Sequence, residues 1–130
     1  MKKVFIILGV LSMVVAAGYL YATRPSAVSD AKLTFVSVES KVTSGAKLYD
    51  VRTAEEYGAG HFPGAINWSL QDIEAGKLPD TPKDTVIFLY CRSGNRSAQA
   101  TELLKKAGYS DITDLGGLSD VEALGAKLIK

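Results

Sequence analysis

"TVIFLYCRSGNRSAQATELLKKAG", residues 85–108, contains a complete change of local pattern and the chain's only cysteine. Thr85 to Tyr90 is apolar almost throughout. A strand covered on both faces reads this way, as strands of parallel sheets packed under helices do. Ser97 to Ala107 instead sets Ala100, Leu103, Leu104 and Ala107 on one helical face, and Gly108 ends it. Between them lie six residues, Cys91 to Arg96. In an open parallel sheet, ligands bind beyond the carboxyl ends of the strands. The spacing therefore sets the one thiol where such a fold carries its chemistry.

The flanking sequence repeats the alternation. Leu33 to Val38 reads as a short strand and Val38 to Thr43 as a turn or two of helix. Lys47 to Arg52 reads as a second strand, followed by a helix start at Thr53-Ala54-Glu55-Glu56-Tyr57, where a capping threonine precedes two acids. Gly58 to Gly64 is a loop, Ala65 to Asn67 a strand fragment and Leu70 to Ala75 a short helix. Asp111 to Leu115 supplies the last strand and Leu118 to Leu128 the last helix. The expected architecture is an α/β domain with a mostly parallel five-stranded sheet flanked by helices.

That domain occupies residues 33–130. Before it, Lys2 and Lys3 head the uncharged run Val4 to Thr23. Residues 1–24 have the pattern of a signal peptide or single-pass anchor, and residues 25–32 that of a polar linker. The run exceeds an ordinary signal core and reaches the roughly 20 residues that cross a bilayer, which favours a retained anchor. The lysines then stay inside, and the domain is expected to be periplasmic or otherwise extracytoplasmic, tethered or released by cleavage. From residue 31 onward, 12 Lys and Arg face 13 Asp and Glu, a net charge of −1. This excludes the basic excess of a nucleic-acid binder. One cysteine cannot form an internal disulfide, and without a Cys-x-x-Cys pair a thioredoxin-type redox role is disfavoured.

The loop has features that a buried structural thiol does not need. Arg92 and Arg96 bracket it, and the following helix offers free N–H groups and the positive end of its dipole. Both stabilise thiolate over thiol, whose ordinary pKa is about 8.5. Gly94 lets the backbone curl so that successive N–H groups point inward, and Ser93 and Asn95 are small enough to permit it. The expected product is an anion cradle with a nucleophile on its floor.

Three segments together resemble the single-domain rhodanese family of thiosulfate sulfurtransferases. "LYDVRTAEEYGAGHFPGAINW" (48–68) is similar to the family's upstream signature, "YCRSGNRSAQA" (90–100) to its active-site loop, and "LGGLSDVEALG" (115–125) to its closing Gly-Gly segment. The resemblance implies a rhodanese-like fold, no cofactor, and a persulfide formed on Cys91 from a small anionic sulfur donor. A thiophilic acceptor, cyanide or a thiol, would then remove the sulfur. Arg92, Ser93, Gly94, Asn95 and Arg96 would bind the donor, with Asp50, Arg52 and Ser97 in support. Asp50 and Arg52 would be chiefly an ion pair fixing neighbouring loops, and Ser97 a helix cap. Related phosphatases use Cys-x5-Arg, whereas the residue six after Cys91 is Ser97, which argues against phosphatase chemistry. His61, the only histidine, lacks companions for a metal site and suits a structural hydrogen bond. Two alternatives stay open: relay of the sulfur to a protein acceptor, and a tethered binding module that has lost turnover.

Overall fold

A computed structural model describes Lys32 to Lys130. The expected anchor and nearly all of the expected linker lie outside these residues. Among the described residues no helix is long and apolar enough to cross a membrane.

The elements run α1 (Phe35–Thr43), β1 (Lys47–Asp50), α2 (Ala54–Ala59), β2 (Ala65–Asn67), α3 (Leu70–Glu74), β3 (Ile87–Tyr90), α4 (Asn95–Lys106), β4 (Ile112–Asp114) and α5 (Leu118–Ala123). The sheet has four strands, in the order β2-β1-β3-β4. Every neighbouring pair is parallel.

The expected fifth strand, Leu33 to Val38, is instead the start of α1. Thr34 and Ser37 form a reciprocal capping box, the Ser37 N–H donating to Thr34 Oγ1 and the Thr34 N–H to Ser37 Oγ, each at 3.2 Å. Phe35 and Val38, three apart, turn inward, while Val36 between them is 73% exposed. A short, mostly apolar run with two valines imitated a strand; spacing over nine residues shows the helical period.

Strand β3 divides the core. Phe88 and Tyr90 pack with Phe35, Val38, Leu48, Phe62 and Val121 on one face. Ile87, Leu89 and Cys91 pack with Tyr49, Val51, Leu104 and Tyr109 on the other. Ile87, Phe88 and Leu89 are all buried, and each such side chain contributes roughly 1.5–3 kcal/mol of apolar burial. This explains the run's lack of polar residues and makes β3 a fixed platform for the Cys91 loop at its carboxyl end.

The last helix is shorter than expected. Gly125 takes φ +104°, a left-handed conformation that ends the turn after Leu124. The chain then returns to pair Ile129 with His61, the Ile129 N–H donating to His61 O at 2.8 Å and the His61 N–H to Ile129 O at 2.9 Å.

Candidate active site

The chain leaves β3 at Cys91, whose N–H donates to Gly116 O at 3.0 Å. Gly94 stands in the left-handed region at φ +94° and directs its N–H onto Cys91 Sγ at 3.0 Å. Helix α4 begins at the next residue, so Sγ sits beside its first turn, where backbone N–H groups lack intrahelical partners. Ser97 Oγ is 3.6 Å from the sulfur and also within reach of Gly94 O, at 3.1 Å, and Gly116 O, at 3.4 Å. The thiol donates to that hydroxyl; for a thiolate the hydroxyl rotates and donates instead. Ser97 is therefore not the helix cap. Gly94 occupies the cap without a side-chain bond, and Ser97 lies buried inside the first turn, holding sulfur and loop carbonyls together.

Burial alone would push the Cys91 thiol up. The Ser97 backbone N–H and hydroxyl, with the Gly94 and Ser93 backbone N–H groups, outweigh it and hold the pKa below the ordinary thiol value. The sulfur is fully covered, so these bonds act where water does not compete.

The two loop arginines differ. Arg92 is exposed and joins no ion pair among the described residues. Arg96 forms a two-bond fork to Glu56, Nη1 to Oε2 at 2.7 Å and Nη2 to Oε1 at 2.8 Å. Glu56 also accepts from the Thr53 N–H at 3.0 Å, closing the capping box of α2. The Arg96 guanidinium, helped by the Thr53 bonds, holds the Glu56 carboxyl at about 2 against an ordinary 4.5. A depressed carboxylate stabilises the fold above its unfolded pKa, and that stability is lost as pH falls through the folded one. Urea unfolding should accordingly lose on the order of 1–2 kcal/mol between pH 4.5 and 2 through this screened pair. Glu56→Gln should flatten that slope; an unchanged slope would assign it to other carboxylates.

The Gly116-Gly117 segment braces the loop from outside. The Leu118 N–H donates to Arg92 O at 3.0 Å. The Gly116 N–H is taken by Asp114 Oδ1 at 2.8 Å, and the Gly117 N–H by Asp120 Oδ2 at 2.7 Å. A Cβ on Gly117 would stand 2.7 Å from Arg92 O and 3.0 Å from Ser93 Cα, both backbone atoms. Its φ of −90° suits any residue, so space alone demands glycine here. Gly117→Ala should destabilise by about 1–3 kcal/mol, read as a lower urea midpoint. No change in the midpoint would mean that the loop yields freely.

Asp50 and Arg52 lie at the end of β1, beside β3. Asp50 is fully buried and Arg52 nearly so. Arg52 donates from Nε and Nη2 to the carboxylate at 2.6–3.0 Å, and from Nη2 to Gly60 O at 2.6 Å. The Tyr90 hydroxyl donates to Asp50 Oδ2 at 2.9 Å and accepts from the Phe62 N–H at 3.1 Å. The pair thus ties β1, β3 and the 60–62 turn together, and none of these bonds reaches the Cys91 loop. His61 stacks on Tyr57 at 3.9 Å, its Nδ1 lying 3.0 Å from Tyr57 O.

The sequence profile described as "Rhodanese-like domain" matches residues 36–124, more than half of the chain. The chain belongs to this family. Over 75 residues it is 39% identical to thiosulfate sulfurtransferase PspE of Escherichia coli K12, covering 55% of this chain and 70% of that protein. It is 32% identical over 94 residues to human thiosulfate:glutathione sulfurtransferase, covering 62% and 82%. Adenylyltransferase and sulfurtransferase uba4 of Ogataea parapolymorpha is 41% identical over 86 residues, 65% of this chain, but the match spans only 22% of that protein. Among solved structures, a rhodanese with anions from E. coli superposes with TM-score 0.54 at 34% identity, covering 65% of this chain and 98% of that one.

In this rhodanese-like domain, Cys91, Gly94 and Ser97 come together around one sulfur. Ser93 and Asn95 flank Arg92 and Arg96 along the loop, with Asn95 exposed beside Gln99. Three acids absent from the sequence-derived site belong to its surroundings: Glu56 through Arg96, and Asp114 and Asp120 through the Gly-Gly brace. The Asp120 bond had a local signal, an acid at the third position of a helix read as starting at Leu118. The Glu56–Arg96 pair spans 40 residues and had none.

Proposed function

We propose that this chain is a sulfurtransferase that moves a sulfane sulfur from thiosulfate, or a similar anionic donor, to a thiophilic acceptor through a Cys91 persulfide. The observation that carries the proposal is the cradle itself: the only thiol of the chain, pKa lowered, receiving the Gly94 N–H at 3.0 Å beside the first turn of α4. In the first half-reaction the Cys91 thiolate attacks the outer sulfur of thiosulfate. A Cys–S bond forms, the donor's S–S bond breaks, and sulfite leaves with the electron pair. In the second, cyanide or a thiolate attacks the outer persulfide sulfur and the Cys91 thiolate departs. No oxidant or reductant is consumed. The inward N–H groups stabilise the anion at each stage. Cys91 is buried, and the adjoining Arg92 and Ser93 are exposed.

The similarity to proteins named for sulfur transfer supports the reaction class. Thiocyanate formation from thiosulfate and cyanide tests it; a folded, reduced protein without turnover would overturn it. The similarity to the uba4 protein favours a second reading, in which a protein accepts the sulfur. Persulfide that forms fully but passes only slowly to cyanide and small thiols would bring that reading forward. The lysine-headed apolar run of residues 1–24 supports an extracytoplasmic site of action. Protease protection of the domain in sealed spheroplasts would overturn that placement.

A further inference from the structure

Two arginines lie within five positions after the thiol, yet the fold leaves them with different freedom. Arg92 is exposed at the rim. Arg96 has both terminal nitrogens committed to the two oxygens of Glu56, at 2.7 and 2.8 Å. Glu56 is itself fixed by the Thr53 N–H at 3.0 Å and the Thr53 hydroxyl at 3.1 Å. Both side chains are 27% exposed, so the pair is a partly desolvated and nearly neutral unit at the edge of the cradle. Arg96 stands in the first turn of α4, one residue before Ser97, whose hydroxyl lies 3.6 Å from Cys91 Sγ, and after Glu56 a Cys91 thiolate is among the charges that raise the guanidinium's pKa. Left unpaired, its charge would therefore act on any anion at the sulfur.

We infer that Glu56 is a positioning residue that sets the charge the site offers to its sulfur donor, by occupying Arg96 and leaving Arg92, among the described residues, as the loop arginine without an ion pair. The inference rests on the sulfur-transfer reading and adds a donor class to it. A site with one free arginine discriminates less in favour of doubly charged donors than a site with two. The present arrangement thus admits singly charged sulfane donors, thiosulfonates and persulfides among them, on nearer terms with dianionic thiosulfate. The position suits such control, because glutamine at the third residue of a helix also closes a capping box. Glu56→Gln removes the charge while keeping an acceptor for the Thr53 N–H.

The test compares KM for thiosulfate, a dianion, with KM for benzenethiosulfonate, a monoanion that leaves as benzenesulfinate. Both are measured on the full-length protein, with cyanide as acceptor. In Glu56→Gln the thiosulfate KM should fall about 3- to 10-fold more than the benzenethiosulfonate KM. The difference should shrink with added salt and vanish in the double variant Glu56→Gln/Arg96→Ala. Parallel changes in both KM values, or a common loss of kcat with KM unmoved, would make Glu56 scaffold only and overturn the inference. So would a gain that survives the loss of Arg96. Wild-type protein that turns over neither donor would instead sink the sulfur-transfer reading, so the two failures are distinguishable.

Discussion

Cys91→Ser should reduce thiocyanate formation by about a thousandfold or more, on the order of the losses seen when a covalent nucleophile is removed. The reason lies in the anion. Ser97, Gly94 and Ser93 lower the thiol's pKa, but a hydroxyl starts too far above a thiol for the same bonds to ionise it. Sulfur also forms the persulfide bond that oxygen cannot replace. The fold should barely notice the change. The new hydroxyl can accept from the Gly94 N–H and donate to Ser97 Oγ, so the exchange in a fully buried position should amount to about 1 kcal/mol. Turnover and a urea melt on the same preparation check both halves. Appreciable residual turnover would mean that the sulfur is carried elsewhere.

Asp50→Ala should act in the opposite sense, on stability first, by about 3–5 kcal/mol. Removing the carboxylate leaves Arg52, only 5% exposed, with Gly60 O as its remaining acceptor, and takes the acceptor from the Tyr90 hydroxyl. An unpaired buried charge is far more costly than the ion pair is beneficial. A domain of ordinary stability, about 5–15 kcal/mol, would lose a large part of it. Asp50→Asn, which keeps the shape and one acceptor, should fall between wild type and Asp50→Ala. A shift below about 1 kcal/mol for Asp50→Ala would show that water reaches Arg52 and that the pair does not tie β1 to β3 and the 60–62 turn.

The legible parts of this chain are those where one local pattern had one meaning. The apolar run Thr85 to Tyr90 read as a covered strand, which the fold narrows to Ile87–Tyr90, and Ala100, Leu103, Leu104 and Ala107 read as a helix face, so the strand–loop–helix unit and its thiol followed. Leu33 to Val38 read as a strand because it is short, mostly apolar and carries two valines; the Thr34–Ser37 capping box starts a helix there and leaves four strands instead of five. The tail after Leu124 kept a helical composition, but Gly125 turned it back towards His61. Within the loop, the residue pattern identified the members but not their partners. Arg92 and Arg96 looked equivalent until Glu56, 40 residues away, was seen to hold one of them. Ser97 looked like a cap because it opens an apolar helix, whereas Gly94 at φ +94° had already begun the turn. Such distinctions depend on which strand ends the sheet sets side by side, and a single sequence carries no record of that order.

The persulfide on Cys91 is tested most directly by the intact mass of the full-length protein after incubation with thiosulfate. The expected result is a gain of one sulfur atom, mapped to Cys91 and removed by cyanide with release of thiocyanate. Folded, reduced protein that gains no sulfur, or gains it at a site other than Cys91, would contradict a Cys91 persulfide.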